Sequence, residues 1–476
     1  MAKKLIFILV MALVLGALAL GLFLLNRPAK AAEEAPPVLP DVEYIIDYRD
    51  EKYGGLASVT VSNEKGEYTV FPGDPPSIPG WEALITSTYS LTRILDSCAS
   101  LSSRGLVVEE GDVAVYGLDT PRARAEIKTA SGEGTTLFIG ADVPDGAGIY
   151  VRLDGSSAIY QAGKWEMDYF FQGVFDFVGK ELSPQLPDDG YGGFEFGEII
   201  LGGAVRPDGP VRVIHQEQTE VQPGRISNAY RISGPIEASL NLDKGYTILK
   251  SLPGINADRA VARLSGDEDL ARYGLDKPYS TASVTGTLGQ GLGGFSLLAS
   301  KPDADGNVYI CSQGGSLIYQ MAASALPWLE TGWWDLMDKM IILPFIDDIA
   351  QVELSFPGRR VNFNLSGEGD DLKVEAGGVV LDTKFFRSYY QSLLSAVYDE
   401  YTSDKIPPGA QPVMEIVYRY RDGRPPDRVS FYASSSRRVF TSLNGGRPFY
   451  TYSAYITKVQ NDLDQLLEGK KVLPYL

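Results

Sequence analysis

His215 is the only histidine in the 476 residues, so a Ser-His-Asp relay or a histidine-rich metal centre would have to be built on that one side chain. It ends the alternating run 211–215, beside Gln216, where a surface or edge-strand position is expected. The 61 Asp and Glu residues leave carboxylate chemistry such as glycoside hydrolysis open, but no pair is singled out by its spacing. Asp303-Ala304-Asp305-Gly306-Asn307 has the carboxylate density of a calcium loop, yet its glycine stands fourth and no glutamate closes a loop of the required length. The matching Asp142-Val143-Pro144-Asp145-Gly146 lacks even that pattern, so both stretches are expected to be turns between strands. Gly289-Gln290-Gly291-Leu292-Gly293-Gly294 lacks the Lys-Ser/Thr of a phosphate loop and runs into the strand-like 295–298, which predicts a hairpin tip. No catalytic residue, cofactor-binding residue or metal ligand is assigned, and a non-enzymatic role without a cofactor is expected.

Two cysteines exclude a disulfide framework and a cysteine-rich zinc module. Cys98 falls in an expected helix and Cys311 in an expected strand, and two buried thiols are expected rather than a bridge. Trp165, Trp328, Trp333, Trp334 and the pair Tyr389-Tyr390 could stack on sugar rings, but their helical spacing predicts core packing. Net charge is −18, and once the four basic residues up to Lys30 are set aside, 39 Lys and Arg face 61 Asp and Glu. Phosphate binding needs clustered cations, so nucleic acid is excluded as a partner.

Residues 5–25 are uncharged, and at about 1.5 Å per residue they reach about 30 Å, the thickness of a bilayer core. Ala29-Lys30-Ala31 offers a signal-peptidase site, but the apolar run exceeds the roughly 7–15 residues of a signal-peptide core. A single-pass signal anchor in the cell membrane is expected, with the bulk of the chain outside the cytoplasm and the Pro-rich stretch 33–40 as a stiff spacer.

The elements that would position any site are repeated. Tyr116-Gly117-Leu118-Asp119-Thr120-Pro121 returns 157 residues later as Tyr273-Gly274-Leu275-Asp276-Lys277-Pro278. Residues 149–182 align without gaps on 308–341 at an offset of 159, placing Tyr150 on Tyr309, Gly155 on Gly314, Tyr160 on Tyr319, Asp176 on Asp335 and Lys180 on Lys339. A weaker third copy places Gly155 on Gly445, Ile159 on Phe449 and Tyr160 on Tyr450, and lacks the hexapeptide. The hexapeptide is read as structural. Tyr116 and Leu118, like Tyr273 and Leu275, anchor a loop; Gly117 and Gly274 permit positive φ; Asp119 and Asp276 accept from the backbone ahead; Pro121 and Pro278 fix φ.

Each copy is expected to open with a hairpin (56–61 with 67–71, 198–201 with 211–215, 351–355 with 360–365) followed by a helix (81–99 in the first, 385–397 in the third). After the hexapeptide come strands such as 123–129, 136–140, 149–153 and 158–161, then a closing aromatic helix, 165–178 or 327–339. An extra loop or hairpin is expected within 202–234. The resulting fold is α+β: an N-terminal transmembrane helix and three tandem repeats of antiparallel sheet with covering helices. Its divisions are 1–40 for anchor and spacer, 41–187, 188–345 and a degenerate 346–476.

The Tyr-Gly-Leu-Asp-x-Pro signature, the Leu137-Phe138-Ile139-Gly140 strand and the Tyr-x-Arg-x-Asp-Gly hairpin at 150–155 resemble the bacterial family known as domain of unknown function 4340. The resemblance covers the first copy best, the second clearly and the third in pattern. It implies a membrane segment like the one at 5–25 and protein partners in an ABC-type transport system of the gliding-motility kind. It implies no catalytic residues. The expectation is a membrane-anchored, extracytoplasmic binding or scaffold protein. The alternative is a carbohydrate or cell-wall binding protein, including a carboxylate-dependent hydrolase.

Overall fold

The computed structural model describes residues 43–185, 196–217, 229–287, 293–435 and 437–473. The chain divides into two compact units, one ending at Phe177 and the other beginning at Val178. The fold is α+β, with several antiparallel sheets and few helices.

The first unit contains β1 (Tyr44–Asp47), β2 (Leu56–Asn63), β3 (Gly66–Val70), β4 (Ser100–Ser102), β5 (Gly105–Val108), β6 (Ala123–Thr129), β7 (Gly134–Asp142), β8 (Gly148–Leu153) and β9 (Ile159–Gly163). Seven of them form one sheet in the order β3-β2-β6-β7-β8-β9-β5, and β1 pairs separately with β4. Strict alternation of buried and exposed residues along Ala123–Thr129 turns Ala123, Ala125 and Ile127 inward. The helix α1 (Tyr89–Ala99) lays Leu91, Ile94 and Cys98 onto that face, where they join Val59, Val61, Leu137 and Ile139 in one core.

The second unit holds two sheets. The first comprises β10 (Phe196–Gly202), β11 (Val211–His215), β12 (Tyr230–Gly234), β13 (Ala238–Ser239), β14 (Arg259–Arg263), β15 (Ser280–Thr287), β16 (Phe295–Ala299), β17 (Asn307–Ser312) and β18 (Leu317–Ala322), in the order β13-β12-β11-β10-β15-β16-β17-β18-β14. The other comprises β19 (Ile349–Phe356), β20 (Arg359–Ser366), β21 (Lys373–Ala376), β22 (Val379–Val380), β23 (Pro412–Tyr420), β24 (Asp427–Ala433), β25 (Arg438–Leu443) and β26 (Phe449–Tyr452), ordered β22-β21-β20-β19-β23-β24-β25-β26.

One plan underlies all three sheets. A leading hairpin strand (β2, β10 or β19) pairs with the first strand of a four-stranded meander (β6, β15 or β23). A strand reached after the helix closes the far edge, β5 on β9 and β14 on β18. In the last sheet that edge is reduced to a single bridge between Glu400 and Tyr450.

The helices are shorter than their sequence patterns suggest. The segment expected as 81–99 becomes helical only at Tyr89, because 81–85 forms a turn and Thr86 and Ser87 donate to the Phe177 carbonyl. The closing stretch 165–178 breaks into α2 (Lys164–Met167), a 3-10 turn (Asp168–Phe171) and α3 (Val174–Phe177), interrupted at Gly173. In the second unit α4 (Leu242–Ser251) and α5 (Asp267–Arg272) precede α6 (Trp333–Leu336), which is all the α-helix that 327–339 contains. The helix expected at 385–397 is α7 (Thr383–Leu394), started by the Asp382 carboxylate accepting from Lys384 and Phe385 N–H. A longer helix, α8 (Ala454–Leu467), follows the last meander and packs on α7.

The insertion expected in 202–234 is in part β12, which with β13 extends the middle sheet outward, as β21 and β22 extend the last. His215 ends a strand flanked on both sides, not an edge strand, and its ring meets Tyr230 edge to face at 5.5 Å. The expected membrane helix 5–25 and the spacer 33–40 lie outside the described residues, among which no helix is long and apolar enough to cross a membrane.

Candidate binding cleft

The two hexapeptides are helix stops. A 3-10 turn (Val113–Tyr116) runs into the first and α5 into the second. Gly117 at φ +66° and Gly274 at φ +70° take the left-handed conformation. Gly117 N–H donates to the Ala114 carbonyl at 3.2 Å and Leu118 N–H to Val113 at 2.9 Å; Gly274 donates to Ala271 at 3.1 Å and Leu275 to Leu270 at 2.8 Å. These are the two bonds of a Schellman ending, and the proline three residues on keeps the helix from resuming.

Leu118 and Leu275 are buried, while Tyr116 and Tyr273 pack edge to face on Tyr150 and Tyr309. Gly140 passes so close beneath the first motif that a Cβ would lie 2.4 Å from the Tyr116 carbonyl oxygen. Asp119 and Asp276 are exposed, and among the described residues no backbone N–H donates to either; Asp119 accepts the Thr120 hydroxyl at 3.4 Å. The two motifs belong to different compact units.

The other sequence candidates are structural as well. Asp303 Oδ1 accepts from Asp305 and Asn307 N–H at 3.0 and 2.8 Å, tying a hairpin turn. Asp145 does the same for Ala147 N–H at 2.8 Å. Residues 289–292 of the glycine-rich stretch lie outside the described residues. Cys98 and Cys311 are free and buried, and burial pushes both thiols up, Cys311 to about 11. Among the described residues no three His, Cys, Asp or Glu side chains are grouped to hold a metal ion.

A cleft that sequence reasoning did not locate opens inside the second unit. It measures about 360 Å³ and is lined on one side by 236–239 and the segment after α6, and on the other by Tyr398, Arg447 and Phe449. Met337, Ile341 and Ile342 give it an apolar floor. A second cleft of about 220 Å³ is lined by Arg206, Asp208, Trp333, Trp334 and Tyr401.

An aromatic cluster forms the wall between them. Trp333 meets Tyr401 edge to face at 5.1 Å, Trp334 stacks on Phe449 at 5.5 Å and 23°, and Phe449 touches Tyr398 at 4.5 Å. The Arg447 guanidinium lies 4.8 Å from the Tyr401 ring centre and 5.3 Å from that of Trp333, and donates to the Tyr401 hydroxyl. Lys339 Nζ sits 3.2 Å above the Trp334 ring, and burial pushes its ammonium down to about 8.

Arg206 holds this wall in place. It is 8% exposed and donates to the carbonyls of Gly202, Trp328, Leu329 and Thr331 and to the Ser280 hydroxyl, stitching the chain before α6 to the sheet. Burial lowers its pKa to about 10. The carboxylates beside the larger cleft are engaged too: Glu237 pairs with Arg231, and Asp338 accepts from Met340 N–H at 2.9 Å. Burial raises the carboxyls of Glu166 and Asp399, and neither lines the cleft.

Of the aromatic residues named from sequence, Trp328, Tyr389 and Tyr390 are core, Trp333 and Trp334 form the wall, and Trp165 is 52% exposed beneath Arg93. The cleft could not be read from spacing. Its two sides are more than 50 residues apart, and they come together only because the last sheet packs beside the segment after α6.

An α+β chain with repeated antiparallel sheets and an aromatic-walled cleft defines a class broader than any one activity. The family model for the domain of unknown function DUF4340 matches residues 87–262 and 231–412, and the chain belongs to that family. The two matches overlap across 231–262, so α4 and the start of β14 fall in both: one family unit spans the end of one sheet and the beginning of the next. No curated protein and no solved structure matches the chain.

Proposed function

We propose that this is a membrane-anchored, extracytoplasmic binding or scaffold protein, with three tandem units (41–187, 188–345 and 346–476) carried by a span at 5–25. Its partners would be subunits of an ABC-type transport system of the gliding-motility kind, as the family resemblance implies. The observation that carries the binding role is the larger cleft: an apolar floor, an aromatic wall, and carboxylates already engaged with Arg231 and the Met340 N–H. Such a lining favours holding a ligand or a partner segment over proton transfer, for which a free carboxyl of raised pKa would be wanted.

The half-buried Trp334 and Tyr401, which line the smaller cleft, favour a second reading, a carbohydrate or cell-wall binding protein, including a carboxylate-dependent hydrolase. Capture of the tagged full chain from its native membrane after mild crosslinking, with mass spectrometry of what accompanies it, separates the two. Permease and ATPase subunits are the expected result. Wall polymer, or the protein alone, would overturn the transporter reading.

A further inference from the structure

The larger cleft holds two kinds of surface side by side. Met337, Ile341, Ile342, Tyr398 and Phe449 line it and are buried, and Arg447, which is exposed, lines it too. The Arg447 guanidinium rests on the Tyr401 and Trp333 rings, 4.8 and 5.3 Å from their centres. One of its five N–H groups goes to the Tyr401 hydroxyl, and among the described residues the others meet no protein acceptor. A guanidinium positioned by aromatic rings with most of its donors unused is suited to an anionic oxygen group.

The other charged groups of the lining are already engaged. Glu237 pairs with Arg231, and Asp338 Oδ1 accepts the Met340 N–H at 2.9 Å. Arg231 and Arg447 offset the two carboxylates, so one further negative charge at Arg447 is attracted rather than repelled. The backbone beside the cleft is paired as well: Asp338 N–H donates to the Ser239 carbonyl at 2.9 Å, Leu240 bridges Met337, and Tyr398 N–H donates to the Lys339 carbonyl at 2.8 Å. An extended peptide added as a strand needs a free edge, whereas an alkyl chain needs none. At about 360 Å³ the cleft falls at the small end of the range of about 300–1,000 Å³ found for small-molecule sites.

We propose that the larger cleft binds a medium-chain fatty acid, with the alkyl chain on Met337, Ile341 and Ile342 and the carboxylate on Arg447. This rests on the reading of the cleft as a binding site and names the class of ligand it takes. Burial of the chain supplies the affinity, at about 25 cal/mol per Å² of apolar surface, and Arg447 selects the acid over the alcohol. A single free guanidinium near Glu237 and Asp338 matches a singly charged carboxylate better than a phosphate monoester, whose charge approaches about −2.

Native membranes holding the tagged full chain, irradiated with decanoic acid that carries a diazirine at its methyl end, test this when the labelled peptides are mapped by mass spectrometry. Label is expected within 337–342. Unlabelled decanoic acid should displace it about tenfold better than decanol, the contribution of a charge-assisted hydrogen bond. Arg447→Gln should lower the labelling of 337–342 to a similar extent. Met340→Glu, which sets a like charge into the lining at a side chain 36% exposed, should abolish it. Absence of label from 337–342 in the wild-type chain, or label displaced equally by acid and alcohol, overturns the proposal whatever the variants do. Met340→p-benzoylphenylalanine, irradiated in the same membranes, separates that failure from failure of the binding reading. A protein captured there without fatty-acid label removes only the ligand class, and the absence of both overturns the cleft as a binding site.

Discussion

Tyr116 and Tyr150 meet edge to face with ring centres 4.9 Å apart and planes at 74°, and Tyr273 and Tyr309 repeat that contact at 4.8 Å and 72°. In each copy the tyrosine of the hexapeptide is thereby docked on the third strand of the meander. The recurrence of both partners in sequence, at slightly different offsets, is the record of one contact kept twice. Such a pair contributes about 0.5–1.5 kcal/mol beyond the area it buries. A double-mutant cycle with Tyr116→Leu and Tyr150→Leu, read by urea unfolding, is expected to give a coupling in that range; additive losses would show that the rings act independently.

The helix stops rank the glycines. Gly117→Ala and Gly274→Ala both force a side chain into the left-handed region, at about 1–2 kcal/mol. At Gly117 the new Cβ would also meet the Ala141 nitrogen at 3.1 Å, whereas at Gly274 its nearest neighbour is Ser300 Cβ at 3.8 Å. Gly117→Ala is therefore expected to lower the denaturant midpoint further than Gly274→Ala, and Gly140→Ala further still.

Arg206 should tolerate no replacement. Arg206→Met leaves the carbonyls of Gly202, Trp328 and Thr331 without their donor, a loss of about 2–4 kcal/mol. Lysine cannot reproduce the planar fork, so Arg206→Lys is expected to recover only a small part of it. Thermal unfolding that leaves both variants at the wild-type midpoint would contradict this role.

Lys339 gives a pH signature. Burial lowers its ammonium from 10.5 to about 8, so between those values the unfolded chain holds a proton that the folded chain has released, and stability rises with pH across that window. Below about pH 8 both states are charged and the full cost of burying the ammonium remains. Lys339→Met removes the group, so any stability advantage of the variant at pH 7 should shrink by pH 10. A difference that does not change with pH would assign the charge no net burial cost.

Cys98 and Cys311 are both buried with thiols pushed above their ordinary value. Neither should react with iodoacetamide at pH 8 in the folded protein, and both should react in urea. Rapid native labelling of either would show that its unit opens locally.

The sequence alone determined what depends on neighbours along the chain. The leading hairpins, the β6 strand with its period of two, the turns at Asp145 and Asp303 and the glycine-to-proline spacing of the hexapeptides were all legible, because alternation and backbone torsion are local properties. Gly445 and Phe449, from which a third copy was expected, lie in the turn before the last strand of the third sheet and in that strand. Helix ends were less so: Gly173 and Gly332 break aromatic stretches that read as continuous helices, since apolar spacing reports which face is buried and not whether the backbone bonds are made.

Only the tertiary structure decided what depends on residues distant in sequence. It brought Trp334 against Phe449 and Arg447 against Tyr401, and it buried Arg206 among carbonyls from a loop more than 120 residues away. Composition cannot announce such contacts, because an aromatic ring at helical spacing packs equally well into a core or into the wall of a cleft. The sheet packed beside it makes the difference.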